Sequence, residues 1–126
     1  MKRSNPPTLH KPMGYTHVVE AQPHRTVYIS GQVAFDQSGA LVGPGDLKAQ
    51  TEQVFKNLKA ALESAGASFD HVAKITVFMV DATQIQTYRD VRDRYFTRLP
   101  ASTLVQVVRL ARPEWLIEIE AIALLE

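Results

Sequence analysis

The chain has 126 residues, with 14 Lys and Arg against 13 Asp and Glu, 45% hydrophobic residues and no cysteine. A chain of this length buries roughly two thirds of its unfolded surface, so a single domain over residues 1–126 is expected to fold without disulfides or a structural zinc. A net charge of +1 offers no general field for phosphate backbones or anionic lipid, and the missing thiols exclude cysteine nucleophiles and cysteine-based metal sites.

Residues 1–14 contain Pro6, Pro7, Pro12 and Gly14, which permit neither a long helix nor a central strand, so an extended N-terminal arm is expected. Lys2 and Arg3 lead into polar and proline residues where an export signal needs an apolar run, and a cytoplasmic protein is the expectation. Segments 17–21 and 26–31 are β-branched or aromatic and read as two short strands around the turn Gln22-Pro23-His24. Gly43, Pro44 and Gly45 stop any strand, and Asp46 is a candidate N-cap. Val54, Phe55, Leu58, Ala61, Leu62 and Ala65 then form one apolar stripe of helical period, with Gly66 as the stop. Segment 72–80 is apolar on both faces, as an interior strand requires.

A second helix is expected from about Thr83 to Arg98, where Pro100 forbids continuation. Two final strands, about 103–110 and 116–125, flank Arg112-Pro113-Glu114. The order β-β-α-β-α-β-β predicts an α/β (α+β) two-layer sandwich with the helices on one face of the sheet. Nothing in the chain remains to cover the other face, so an oligomer is expected to do so. The apolar stretches near residues 75–80 and 115–125 are broken by Thr76, Glu118 and Glu120 and fall short of a membrane span, so neither membrane nor nucleic acid is expected as a partner.

The four histidines, His10, His17, His24 and His71, show no ligand spacing, and no metal site is expected. Arg89, Arg92, Arg94 and Arg98 crowd the second helix, where Arg89–Asp93 and Asp90–Arg94 are spaced as i,i+4 pairs on a solvated face. Glu118 and Glu120 lie two apart in an apolar strand, hence on one face and about 6 to 7 Å apart. One reading leaves the sheet face partly open to solvent, or matches a buried pair with Arg109 on the adjacent strand. The other makes one of them a water-orienting general base whose pKa an apolar wall would raise.

Ser30-Gly31-Gln32, Gln50-Thr51-x-Gln53-Val54-x-x-Asn57-Leu58, Ala65-Gly66-Ala67-Ser68, the strand Val72 to Asp81 and the ending Ile117-Glu118-Ile119-Glu120-Ala121-Ile122-Ala123 resemble, in this order, the reactive-intermediate deaminase family of the RidA/YjgF type. Gly14-Tyr15-Thr16-His17 resembles a variant of the family's N-terminal Gly-Tyr segment. The resemblance covers nearly the whole chain. It implies a chorismate-mutase-like fold, a homotrimer with ligand clefts between subunits, and hydrolysis of imines or enamines to ketones and ammonia with no metal or organic cofactor. On the matching positions, Tyr15, Ser30 and Gly31 would line the cleft, the Gly31 backbone would hold the imine nitrogen, and Glu118 would position the water.

One position departs from the family pattern. Where active deaminases carry Pro-Ala-Arg-Ser, with the arginine clamping the carboxylate of a 2-imino acid, this chain reads Pro100-Ala101-Ser102-Thr103. Ser102 offers one neutral hydrogen bond in place of a bidentate ionic one, a loss on the order of 2 to 5 kcal/mol. The cleft so implied comprises Tyr15, Ser30, Gly31, Ser102, Thr103 and Glu118, with a small imine, enamine or related metabolite as its ligand and a weakly charged polar end favoured. Arg89 or Arg25 of a neighbouring subunit is the candidate replacement for the missing cation. The rival expectations are a metabolite-binding trimer without catalysis and a ribonuclease, the latter disfavoured by the near-zero charge and the lack of a paired His or Lys base.

Overall fold

A computed structural model describes all 126 residues. Strand β1 (Lys2–Ser4) pairs antiparallel with β2 (Val18–Glu20), and these two form a small sheet of their own. The main sheet contains β3 (Arg25–Gln32), β4 (Val72–Met79), β5 (Ala101–Gln106) and β6 (Ile117–Leu125) in the order β3-β6-β4-β5. It is mixed: β6 runs antiparallel to β3 and β4, while β4 and β5 are parallel. Only a bend at His24 stands where the turn was expected, and β2 pairs with β1 of the arm instead of with β3. Arg3 fastens β1 to the main body by donating to the Asp70 carbonyl at 2.9 Å.

Helix α1 (Leu47–Ser64) begins where the Asp46 carboxylate accepts from the Ala49 amide. Its predicted stripe is buried: Val54, Phe55, Leu58 and Leu62 pack against Ile75, Val77, Met79, Ile117 and Ile119 from the sheet. Alternation along β4 and β6 then assigns Lys74, Thr76, Phe78, Glu118, Glu120 and Ile122 to the opposite, helix-free face. The two layers and the one-sided helices agree with the sequence reading.

The second helix is shorter than its periodicity predicts. A 3₁₀ turn (Ala82–Gln84), capped by Asp81, leads into α2 (Ile85–Arg92). Beyond Arg92 the chain tightens into i,i−3 bonds, Arg94 to Val91 and Tyr95 to Arg92. That bend brings Tyr95 into a stack on Phe55, with centroids 4.9 Å apart, and Phe96 against Phe69 at 5.0 Å. Burial of two aromatics outweighs two more helical turns. The expected i,i+4 pairs fail for the same reason. Arg94 meets Glu52 of α1, Asp90 accepts from Gln86, and Arg92 is buried over the Tyr88 ring with its guanidinium on Asp93.

Candidate functional site at the two sheet edges

The register between β3 and β6 slips once. Ile29 faces Ala121 and Gln32 faces Ile119, so three steps on β3 match two on β6, and Ser30 and Gly31 have no register partner. This is a β-bulge, which frees backbone groups from the ladder and re-aims the chain. Its position is held from α1. Asn57 Nδ2 donates to the carbonyls of Val33 at 3.0 Å and Phe35 at 2.8 Å, while Gln53 Nε2 donates to Asn57 Oδ1 at 2.9 Å. The polar residues of the Gln-Thr-x-Gln-Val-x-x-Asn segment thus tie the helix to the chain leaving the bulge. Gln50, fully buried, donates to Gly43 O and Glu114 O and accepts from Leu116 N, so it joins the loops before α1 and before β6.

Glu118 lies directly under the bulge. A Cβ built on Gly31 would fall 2.8 Å from Glu118 Cδ and 2.9 Å from Oε1, so glycine is what allows the carboxyl to sit there. Burial raises the Glu118 pKa above the ordinary carboxyl value, and the charge of Glu120 raises it further. A carboxylate that is partly desolvated, more basic than usual and pressed against the bulged backbone can take a proton from water. Neither glutamate pairs with Arg109. That residue lies beyond the end of β5, which stops at Gln106, and its guanidinium donates to the carbonyls of Leu110 and Ala111.

The remaining candidates stand elsewhere. Thr16 amide donates to Pro100 O at 2.9 Å and its hydroxyl to Leu99 O at 2.7 Å, which fixes Tyr15 beside the start of β5. Gly14, at φ +78°, lies against the Arg92 guanidinium. Ser102 faces Ile75 in register and Thr103 faces Thr76, so the two alternate across the sheet, Ser102 toward the helix side and Thr103 onto the open face. Thr103 Oγ1 there accepts from Lys74 Nζ at 2.6 Å.

The six candidates therefore fall into two groups. Ser30, Gly31 and Glu118 occupy the β3 side of the sheet, and Tyr15, Ser102 and Thr103 the β5 side, with β6 and β4 between those two edges. At strand spacings near 4.8 Å the edges lie roughly 14 Å apart, and Glu118, on β6, roughly 10 Å from β5. Within one chain the groups do not meet. Arg25 is already engaged, its guanidinium donating to Ala65 O at the end of α1.

Sequence reasoning noted Gln50, Gln53 and Asn57 only as part of the family-like segment and missed their supporting roles, for which their polarity on helix α1 was the local signal. Spacing along the chain also gave no sign that the arm folds back to bring His10 and His17 together, with ring centroids 4.8 Å apart. His10 Nε2 then lies 2.6 Å from Tyr15 Oη, and His17 Nε2 lies 2.8 Å from His10 O. No three His, Asp or Glu side chains converge on one point.

A mixed four-stranded sheet with helices on one face, and a carboxyl seated under a bulge at one edge, define a class of small two-layer α/β protein, in which the candidate residues divide between the two sides of the sheet. The chain belongs to the RidA/YjgF family: the family model described as Endoribonuclease L-PSP matches residues 8–125. It is similar to a crystal structure of a Rid-family protein of unknown function from Yersinia pestis, at 39% identity and a TM-score of 0.91, covering 98% of each chain. A RutC family protein of Pyrococcus horikoshii is 40% identical over 115 residues, 90% of this chain and 89% of the relative. The 2-iminobutanoate/2-iminopropanoate deaminase of Mus musculus is 41% identical over 103 residues, 81% of this chain and 76% of that enzyme.

Proposed function

We propose that the protein hydrolyses a small imine or enamine to a carbonyl compound and ammonia, in clefts formed between copies of the chain in a homotrimer. The observation that carries this reading is Glu118, a carboxyl of raised pKa held under Gly31. In the reaction, Glu118 takes a proton from water as the oxygen attacks the imine carbon, and the backbone at the bulge holds the imine nitrogen. That proton passes to nitrogen to give a carbinolamine; Glu118 then takes the hydroxyl proton and hands it to nitrogen as the carbonyl forms and the carbon–nitrogen bond breaks, so that one water is consumed and ammonia leaves. Deaminase names among the relatives support the reaction class.

The separation of Tyr15 and Ser102 from Glu118 within one chain supports the placement between copies: the β5 edge of one subunit would complete the β3 edge of the next. The helix-free face, with Tyr28, Phe78 and Val105 on it, supplies surface for such packing. Ser102 at the clamp position favours substrates whose polar end is neutral or weakly charged. Against a nuclease, the ring nitrogens of His10 and His17 that face into the arm are both engaged, by Tyr15 and by the His10 carbonyl.

Ammonia release from freshly generated imines tests the reading. Turnover should depend on Glu118, and Ser102→Arg should raise kcat/KM for 2-imino carboxylates by about thirtyfold or more, the counterpart of a clamp of about 2 kcal/mol or more. Full turnover of those carboxylates by the natural chain, with no gain from Ser102→Arg, would overturn the assigned selectivity.

A further inference from the structure

One direct contact to a site residue plays no part in the proposed hydrolysis. Tyr15 carries its hydroxyl against the arm, where His10 Nε2 lies 2.6 Å from Oη. The backbone on both sides of Tyr15 is pinned: Gly14 lies against the Arg92 guanidinium, and Thr16 donates from its hydroxyl to Leu99 O and from its amide to Pro100 O. The arm is pinned in turn. Asn5 Oδ1 accepts from the His17 amide, His17 Nε2 donates to His10 O at 2.8 Å, and the His17 ring stands edge-on to the Tyr15 ring with centroids 5.1 Å apart. With both partners held, what remains to be chosen is which of them carries the hydrogen between them. A depression of about 600 Å³ opens beside the pair, lined by Tyr15, Thr16, Thr97 and Leu99 and, from the arm, His10 and Lys11. That volume is in the range of small-ligand sites.

At 2.6 Å the pair is closer than an N–H donor ordinarily comes to oxygen and within the range of an O–H donor. A phenol that donates to a neutral imidazole has used its one hydrogen, and only lone pairs remain on Oη. We infer that His10 fixes Tyr15 as a hydrogen-bond acceptor toward the cleft, so that the polar end of the substrate there is an N–H donor. That assignment, which rests on Tyr15 lining the cleft proposed above, narrows the substrate to 2-imino carboxamides. A carboxylate offers acceptor atoms only and would have to break the His10 contact to obtain a hydrogen, whereas an amide NH2 meets the Oη lone pairs directly. Ser102, whose hydroxyl both donates and accepts, suits an amide equally well. The amide would reach Tyr15 of one copy while the imine carbon faces Glu118 of the next, so no ligand spans the sheet of one chain. His10 is thus a positioning residue that acts through Tyr15.

Two measurements on the full chain test this at about pH 8, where an ordinary imidazole is neutral. Nitrogen-15 NMR of the histidine rings should show His10 Nε2 without a hydrogen, its signal assigned by its loss in His10→Gln. A hydrogen on that nitrogen would overturn the inference. The stable hydrolysis products pyruvamide and pyruvate are then titrated, and pyruvamide should bind at least about tenfold tighter, or roughly 1.4 kcal/mol. His10→Lys can only donate to Oη and should reverse the preference, while on a Tyr15→Phe background it should leave the ratio where Tyr15→Phe alone puts it. An equal shift with and without the hydroxyl would mark a plain charge effect and overturn the role of His10. So would pyruvate binding as tightly as pyruvamide, or pyruvamide failing to saturate by about 100 mM, in a chain that Glu118→Ala inactivates. Failure of the hydrolytic reading looks different, as turnover that survives Glu118→Ala, and would remove the cleft on which both rest. The ring spectrum and the product comparison read the natural chain and hold even if a variant folds poorly.

Discussion

Replacing Gly31 with alanine separates the position of the Glu118 carboxyl from its presence. The added methyl would stand 2.8 to 2.9 Å from Cδ, Cγ and Oε1 of Glu118, where ordinary contact begins at 3.4 Å. The carboxyl group must therefore retreat by roughly half an ångström to one ångström. A displacement of that size at a reacting group costs on the order of a hundredfold in rate. The atoms struck belong to the far end of a flexible side chain and not to backbone, so the fold itself should lose less than about 1 kcal/mol. The assay is kcat/KM for ammonia release beside urea unfolding of the same preparation. A fall of about a hundredfold with an unfolding midpoint near that of the natural chain is the expected pair of results. Turnover within about threefold of the natural chain, in a protein that Glu118→Ala inactivates, would refute the reasoning that Gly31 seats the carboxylate.

Three further outcomes follow from the same contacts. Glu118 must be ionised to accept a proton, so activity should fall as pH drops through its raised pKa; Glu120→Gln removes the repulsive part of that rise and should move the acid limb of kcat/KM to lower pH, the part due to burial remaining. The same rise means that ionised Glu118 opposes folding, so Glu118→Gln should raise the urea midpoint at neutral pH, a gain that disappears below about pH 4, where the carboxyl is protonated in both states. Gln50→Leu strands Gly43 O, Glu114 O and Leu116 N together, and should cost about 3 kcal/mol, read as a lower urea midpoint at unchanged slope.

The elements most legible in the sequence were those fixed by local chemistry. Asp46 as a cap, the stripe from Val54 to Leu62 and the doubly apolar β4 each carry a pattern that a single element explains. What escaped depends on partners distant in sequence. The end of α2 is set by Tyr95 and Phe96 reaching Phe55 and Phe69, and the pairing of β2 by an arm whose composition suggested no strand. At the candidate site, the shared face of Glu118 and Glu120 follows from period two alone, but the bulge at Ser30 and Gly31 is a register event between strands and has no one-strand signature. The same gap explains Lys74. It lies opposite Ile122 and diagonal to Glu120, a placement that appears only once β4 and β6 are paired.

The division of the site between two sheet edges is tested most directly by mixing two inactive chains. Glu118→Ala spoils the β3 side and Tyr15→Ala the β5 side, so copies unfolded and reassembled together should regain activity at interfaces where two intact edges meet, about a quarter of those in a random mixture. Recovery near that fraction, absent when either variant is reassembled alone, is the predicted result. Activity no greater than the sum of the two separate variants would contradict a cleft shared between subunits.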